Sequence, residues 1–266
     1  LEVSLNGQQY TTENVLYSVY AHPLVSAFRP DRGPIDGGTL IRISGSNFDG
    51  GSLPLFGAHL NDGYQCKLGE LRTNATFVNQ SLLECTSMPI KEGLHCIEVT
   101  LNGQDFTDSC VPFTALRHPY LTSHSPTSGL ITGDTLVTIR GTHLIHGSDY
   151  RCLFGNVSVP ATLDTTSRGT RMTCNSPRAA DMWCNALPTE PHLAWFVPNG
   201  TDLPFSVAFN GQNYYGAEQH RFMYHGSLML SSVLPVSGPT DGGIPLNVTG
   251  GRLTGGTGYK CCVVAE

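Results

Sequence analysis

The sequence predicts an all-β chain of tandem β-sandwiches, and three observations carry that prediction. A hairpin pattern occurs three times, and so does a Gly/Pro turn that feeds an alternating strand. The two recur together with a period of roughly 100 residues, which is the mark of an array of similar small domains. Composition agrees, because 30 Gly and 17 Pro in 266 residues suit many short strands joined by tight turns better than long helices.

The hairpin appears as LEVSLNGQQY (1–10), IEVTLNGQDF (97–106) and FSVAFNGQNY (205–214). In the second copy Ile97, Val99 and Leu101 are expected to point one way, with Glu98 and Thr100 pointing the other. That period of two describes a strand with one buried face. Asn-Gly between two such strands predicts a type I′ turn, whose two central residues both need positive φ.

The second block reads PDRGPIDGGTLIRISG (30–45), PTSGLITGDTLVTIRG (126–141) and PVSGPTDGGIPLNVTG (235–250). Pro, then Gly33, Gly129 or Gly238, then Gly37, Gly133 or Gly242 are expected to build a turn. The strand that leaves it should face the core through Ile41 and Ile43, Val137 and Ile139, and Leu246 and Val248. A third element is Tyr-x-Cys, at Tyr64–Cys66, Tyr150–Cys152 and Tyr259–Cys261, extended in the second copy as CLFG (152–155).

This order is P-x-x-G-x-x-x-G-G/D-T, a strand ending in Gly, C-x-F-G, a later cysteine near proline, and a closing hairpin. It resembles the IPT/TIG domain family across nearly the whole chain. Departures are CKLG (66–69) in place of CxFG, Asp134 in place of the second Gly, and Pro245 inside the third strand. The resemblance implies immunoglobulin-like sandwiches of the E-set type, as in plexin and Met-type receptor ectodomains, fibrocystin-like surface proteins and protist surface proteins. The copies divide the chain into a closing hairpin of a preceding module (1–22), a module over 23–118, a module over 119–225 with an insertion at 174–204, and the opening of a further module (226–266). A chain that begins and ends inside modules is expected to be a piece of a longer repetitive protein. His-Pro at 22–23 and 118–119 marks the junctions, and linkers this short predict a semi-rigid array.

Nine cysteines with neither CxxC pairs nor Cys/His metal spacing point to disulfides and an oxidising compartment. In the IPT pattern the cysteines corresponding to Cys66 and Cys85, and to Cys152 and Cys174, are bonded, so the resemblance implies those two pairs. Cys96 and Cys110 flank the Asn102-Gly103 hairpin, and the second module lacks both, having Pro204 and Glu218 there. Their joint presence and absence predicts a third bond. Cys261 is expected to pair beyond Glu266. Cys184 and Cys262 have no counterparts: a bond between them across the domain junction, bonds to another chain, and a buried free thiol all stay open. Sequons at Asn74, Asn79, Asn156, Asn199 and Asn247 agree with secretion and predict covalent N-glycans. Asn247 is expected on an outward position, and Asn156 follows the CLFG strand.

The remaining signals point away from catalysis. A formal charge of −6 gives no basic field for nucleic acid, and no apolar run approaches the ~20 residues that span a bilayer. His143 and His146 lack cysteine or carboxylate partners at ligand spacing, and His22, His118 and His225 read as packing at the junctions. GGRLTGGTGYK (250–260) lacks the order of a phosphate loop and reads as a strand connection. Asp36, Asp49, Asp62 and Asp241 lie in Gly-rich loops and read as turn formers. Neither a nucleophile elbow nor a metalloprotease motif is present. Trp183, Trp195 and Phe196 fall in the insertion, where a small satellite core is favoured over a ligand contact.

No metal or other cofactor is therefore expected. The function predicted is that of a non-catalytic structural array in an extracellular filament or cell-surface stalk, its partners being copies of itself, neighbouring modules or a protein ligand. The alternative is a ligand-binding or adhesion receptor ectodomain of plexin or fibrocystin-like type. A TIG-bearing transcription factor conflicts with the acidity, sequons and paired cysteines. An accessory domain of a carbohydrate-active enzyme would place catalysis outside this chain.

Overall fold

In the computed structural model the described residues are 1–51, 63–183, 201–226, 228–251, 253 and 260–262. The chain divides into two compact units, Leu1–Leu116 and Arg117–Glu266.

The first unit contains β1 (Leu24–Arg29), β2 (Arg32–Pro34), β3 (Leu40–Ser46), β4 (Gln65–Leu68), β5 (Leu71–Asn79), β6 (Leu82–Thr86), β7 (Gly93–Thr100) and β8 (Val111–Leu116). They form one ribbon in the order β1-β3-β6-β5-β4-β7-β8-β2. What makes a ribbon into a sandwich is β5, which belongs to both halves. Leu71–Asn74 pair with β4, whereas Ala75–Asn79 pair with β6. The ribbon folds over at that strand, bringing Ile41, Ile43 and Leu83 of one half into a common core with Ile97, Val99 and Phe113 of the other. All six are at most 1% exposed, each contributing roughly 1.5–3 kcal/mol of burial. Pairing is antiparallel except between β2 and β8, where Arg32–Pro34 run parallel to Thr114–Leu116.

The second unit repeats the plan with β9 (Tyr120–Ser125), β10 (Ser128–Leu130), β11 (Leu136–Thr142), β12 (Arg151–Phe154), β13 (Val157–Leu163), β14 (Arg171–Asn175), β15 (Thr201–Ala208) and β16 (Arg221–His225). The order is β10-β16-β15-β12-β13-β14-β11-β9. Here β13 is the shared strand, paired with β12 up to Pro160 and with β14 from Ala161. Val137, Ile139, Phe154, Phe205 and Phe222 fill the core. The immunoglobulin-like fold and its alternating strands therefore stand as the repeats predict.

Four details differ from the sequence reading. First, Gly33 and Gly129 lie in strands β2 and β10 and not in a turn; a Cβ there would come within 2.4 Å of the Thr39 or Thr135 hydroxyl and within 3.0 or 2.9 Å of Phe113 or Phe222. Close packing demands glycine at these positions, whereas the true turn glycines Gly37, Gly133 and Gly242 carry positive φ. Second, Thr100 is buried although the alternation turned it outward; its hydroxyl donates to Asn102 Oδ1 and accepts from the Asn102 N–H, which satisfies it at the strand end. Third, one short helix, α1 (Ala179–Trp183), follows β14, where five residues are too few to show a helical period. Fourth, Leu246 is 40% exposed. Among the described residues the third copy supplies β17 (Met229–Leu234) and β18 (Asn247–Gly251), a two-stranded sheet that no second sheet faces. No described helix is long and apolar enough to cross a membrane.

Candidate functional site

Each sandwich is cross-linked between its halves. Cys66 on β4 and Cys85 on β6 form a disulfide with Cα atoms 6.4 Å apart, and Cys152 on β12 bonds Cys174 on β14 at 6.5 Å. These four cysteines sit in the cores at 0–4% exposure. Closing loops of 19 and 22 residues stabilises each sandwich by about 3 kcal/mol on the chain-entropy account. Cys96 on β7 bonds Cys110, just before β8, with a Cα separation of 4.5 Å. Cys261 and Cys262 are free and exposed, and Cys184 lies outside the described residues. Three disulfides are the chemistry of an oxidising compartment.

The tyrosine of Tyr-x-Cys has a role that spacing alone did not reveal. Tyr64 donates its hydroxyl to the Phe48 carbonyl at 2.7 Å and accepts the Gly51 N–H at 3.1 Å, and Tyr150 accepts the Gly147 N–H at 2.8 Å. A phenol thus binds the backbone at Phe48 and Gly51 in the first sandwich and at Gly147 in the second, and burial pushes the Tyr64 phenol up from its ordinary pKa.

The three Asn-Gly loops are copies in structure as well as in sequence, but they are not type I′ turns. Gly7, Gly103 and Gly211 have φ near +74° (73, 75 and 73), while Asn6, Asn102 and Asn210 do not have positive φ. Each asparagine instead accepts two backbone N–H groups through Oδ1: from Gln8 and Gln9, from Gln104 and Asp105, and from Gln212 and Asn213. An asparagine that can bond its own following backbone has no need of the left-handed conformation. The aromatic residue after the second and the third loop reaches the shared strand of its sandwich. Phe106 lies under the Arg72 guanidinium at 4.8 Å, and Tyr214 hydrogen-bonds Ser158 at 2.7 Å.

The sequon asparagines within the described residues are all exposed. Asn74 and Asn79 lie on β5, Asn156 is at the turn before β13, and Asn247 begins β18. Asn199 lies outside the described residues, as do Tyr259, Asp62, Trp195 and Phe196; nothing is stated of the Trp183 side chain.

Over β13 and β14 a surface cleft of about 610 Å³ brings Leu136, Val157 and Val159 beside Asp134, Arg178 and Asp181. It joins apolar side chains to charges of both signs. Nearby, Asp164 accepts from Thr166 and pairs with Arg171, which hold its carboxyl down at about 2. Among the described residues no three His, Cys, Asp or Glu converge on a metal-sized site. His143 and His146 occupy left-handed loop positions, His118 stacks on Tyr215 at 5.1 Å, the His22 carbonyl accepts from Asn47, and His225 ends β16.

Sequence reasoning missed His124, which is 7% exposed. Its Nε2–H donates to the Arg221 carbonyl at 2.9 Å, and its Nδ1 is buried with no partner. Only its alignment with Phe28 in the first repeat could have marked it.

Comparison with known proteins agrees with this geometry. The IPT/TIG domain description matches residues 23–115 and 119–213. Plexin-A3 of Mus musculus is 31% identical over 137 residues, which is 51% of this chain and 7% of that protein. Plexin-2 of Caenorhabditis briggsae is 25% identical over 160 residues, 60% of this chain and 9% of that one. The chain thus spans less than a tenth of these curated relatives. The solved extracellular region of plexin A4, domains 1 to 10, superposes with a TM-score of 0.52 at 17% identity, covering 83% of this chain and 18% of that one. With two matched domains covering most of its length, the chain belongs to the IPT/TIG domain family.

Proposed function

We propose that this chain is a non-catalytic, N-glycosylated structural module array of an extracellular filament or cell-surface stalk. The observation that best supports it is the pair of complete sandwiches, each bonded from sheet to sheet by a buried disulfide. Such modules keep their shape without a cofactor and repeat without new kinds of interface. On this reading modules run over 23–118 and 119–225. Residues 1–22 belong to a preceding module, since Leu1, Val3 and Leu5 match the buried Ile97, Val99 and Leu101 yet are exposed. Residues 226–266 open a following module. The asparagines at 74, 79, 156, 199 and 247 carry glycans, and Cys184 and Cys262 bond across a junction or between chains. The partners are neighbouring modules, further copies of the chain or a protein ligand.

A second reading, a receptor ectodomain, is favoured by the likeness to plexins. Electron microscopy of the native full-length protein, with glycans and disulfides intact, separates the two. Long filaments with a regular module repeat are expected; separate stalks on a membrane-anchored protein would replace the filament with the receptor.

A further inference from the structure

The shared strand β5 carries the hazard of any open strand edge. Each half of it pairs on one side only: Leu71–Asn74 with β4, Ala75–Asn79 with β6. On its other side the Ala75 N–H donates to the Tyr64 carbonyl at 2.9 Å, and beyond that bond no strand among the described residues pairs with it. The segment at risk is Ala75-Thr76-Phe77-Val78, uncharged and rich in strand formers. Phe77 is 39% and Val78 46% exposed. An uncharged, apolar edge of this kind recruits a second strand unless something blocks it.

Two sequons bracket this segment. Asn74 and Thr76 both lie on the outward face of β5, and Asn79 closes it, its Oδ1 accepting from the Ser81 N–H at 2.9 Å. The second module supplies the comparison. There Pro160 pairs with Arg151 as Asn74 pairs with Gln65, so the two residues occupy one register position, the last before the strand changes partner. Proline has no N–H to offer and is the usual means of blunting an edge strand. One module thus has proline where the other has a sequon asparagine.

We infer that N-glycans on Asn74 and Asn79 shield the β5 edge from pairing with a second copy of this chain. The inference rests on the reading of the chain as a secreted glycoprotein. In the modification, Asn Nδ2 bonds to the anomeric carbon of an oligosaccharide supplied as a diphospholipid donor; the C–O bond to the diphosphate breaks, that group leaves with the electron pair, and the amide gives up one proton.

The test uses the whole chain secreted from eukaryotic cells. Mass spectrometry reads occupancy at Asn74 and Asn79, and analytical ultracentrifugation reads association of wild type, Asn74→Gln/Asn79→Gln, and that double variant carrying Val78→Lys. Occupied sites, a shift of the double variant from monomer to oligomers, and return to monomer with the added lysine are expected. Empty sites in wild type would overturn both the glycoprotein reading at β5 and the shield. Occupied sites with a folded double variant that stays monomeric would overturn the shield alone. Should the double variant fail to fold, trimming the folded wild-type glycans to a single sugar with an endoglycosidase decides: association supports the shield, and an unchanged monomer refutes it.

Discussion

The two complete sandwiches share one ribbon but fill it differently. Phe28 pairs with Ile43 in the first, and His124 pairs with Ile139 in the second. Phe28 lies 6.3 Å from Phe113, whereas His124 lies 4.7 Å from Phe205 and meets His220 edge-on at 5.4 Å. The first sandwich also has Cys96–Cys110, which the second lacks. The lesson is that the ribbon tolerates a polar ring at a core position where a backbone carbonyl stands ready to accept from it, here that of Arg221. It does so while leaving one buried nitrogen unpaired.

The largest expected difference is under reduction. Breaking every disulfide should remove about 6 kcal/mol from the first sandwich and about 3 from the second, at about 3 per bond. Urea unfolding of the full chain, with and without reductant, reads both transitions; equal losses would dissolve the distinction. Next, Gly33→Ala and Gly129→Ala should cost each sandwich a similar ~1–3 kcal/mol through overpacking, since both meet the same Thr and Phe atoms. A large inequality in thermal melts would show that the two close contacts are not equivalent.

The pH response should then separate the modules. Burial chiefly holds the His124 pKa below its ordinary value, aided by repulsion from His220 and opposed by the hydrogen bond to the Arg221 carbonyl. The facing groups are His220 and, at the surface, the Arg221–Asp202 pair. Because the folded pKa is lowered, the unfolded chain binds this proton more readily. The second sandwich should therefore lose stability as pH falls below ~6.5, by at most ~1.4 kcal/mol per pH unit for one proton. The Phe28 position contributes no such slope. His124→Phe should flatten the acid side of the second transition, and an unchanged slope would remove His124 from the account. The smallest effects belong to the shared strand: Arg72→Ala should cost ~0.5–1 kcal/mol and Tyr214→Phe ~0.5–1.5 kcal/mol, both measured by urea midpoint.

The ribbon was legible in the sequence because period-two burial at Ile41, Ile43, Val137 and Ile139 is written directly into side-chain type. What stayed hidden depends on partners remote in the chain. Gly33 looks like a turn glycine until Thr39 and Phe113 are seen above it. The Asn-Gly pairs look like type I′ turns until the asparagine side chain is seen to take the backbone N–H groups itself. The candidate site was legible only as positions. The repeat aligns Cys66 with Cys152 and Cys85 with Cys174, but no pattern in it tells that β5 belongs to two sheets at once. The orphaned nitrogen of His124 was hidden for the same reason.

The parallel pairing of β2 with β8 bears on how such a module carries tension. A pull along the chain reaches Arg32–Pro34 from their N-terminal side and leaves Thr114–Leu116 from their C-terminal side. Because these strands run the same way, the load slides them past each other, and their hydrogen bonds are strained together instead of one after another. β10 and β16 form the same arrangement. Each sandwich therefore closes with a shear-loaded clasp, the geometry suited to a chain that is stretched.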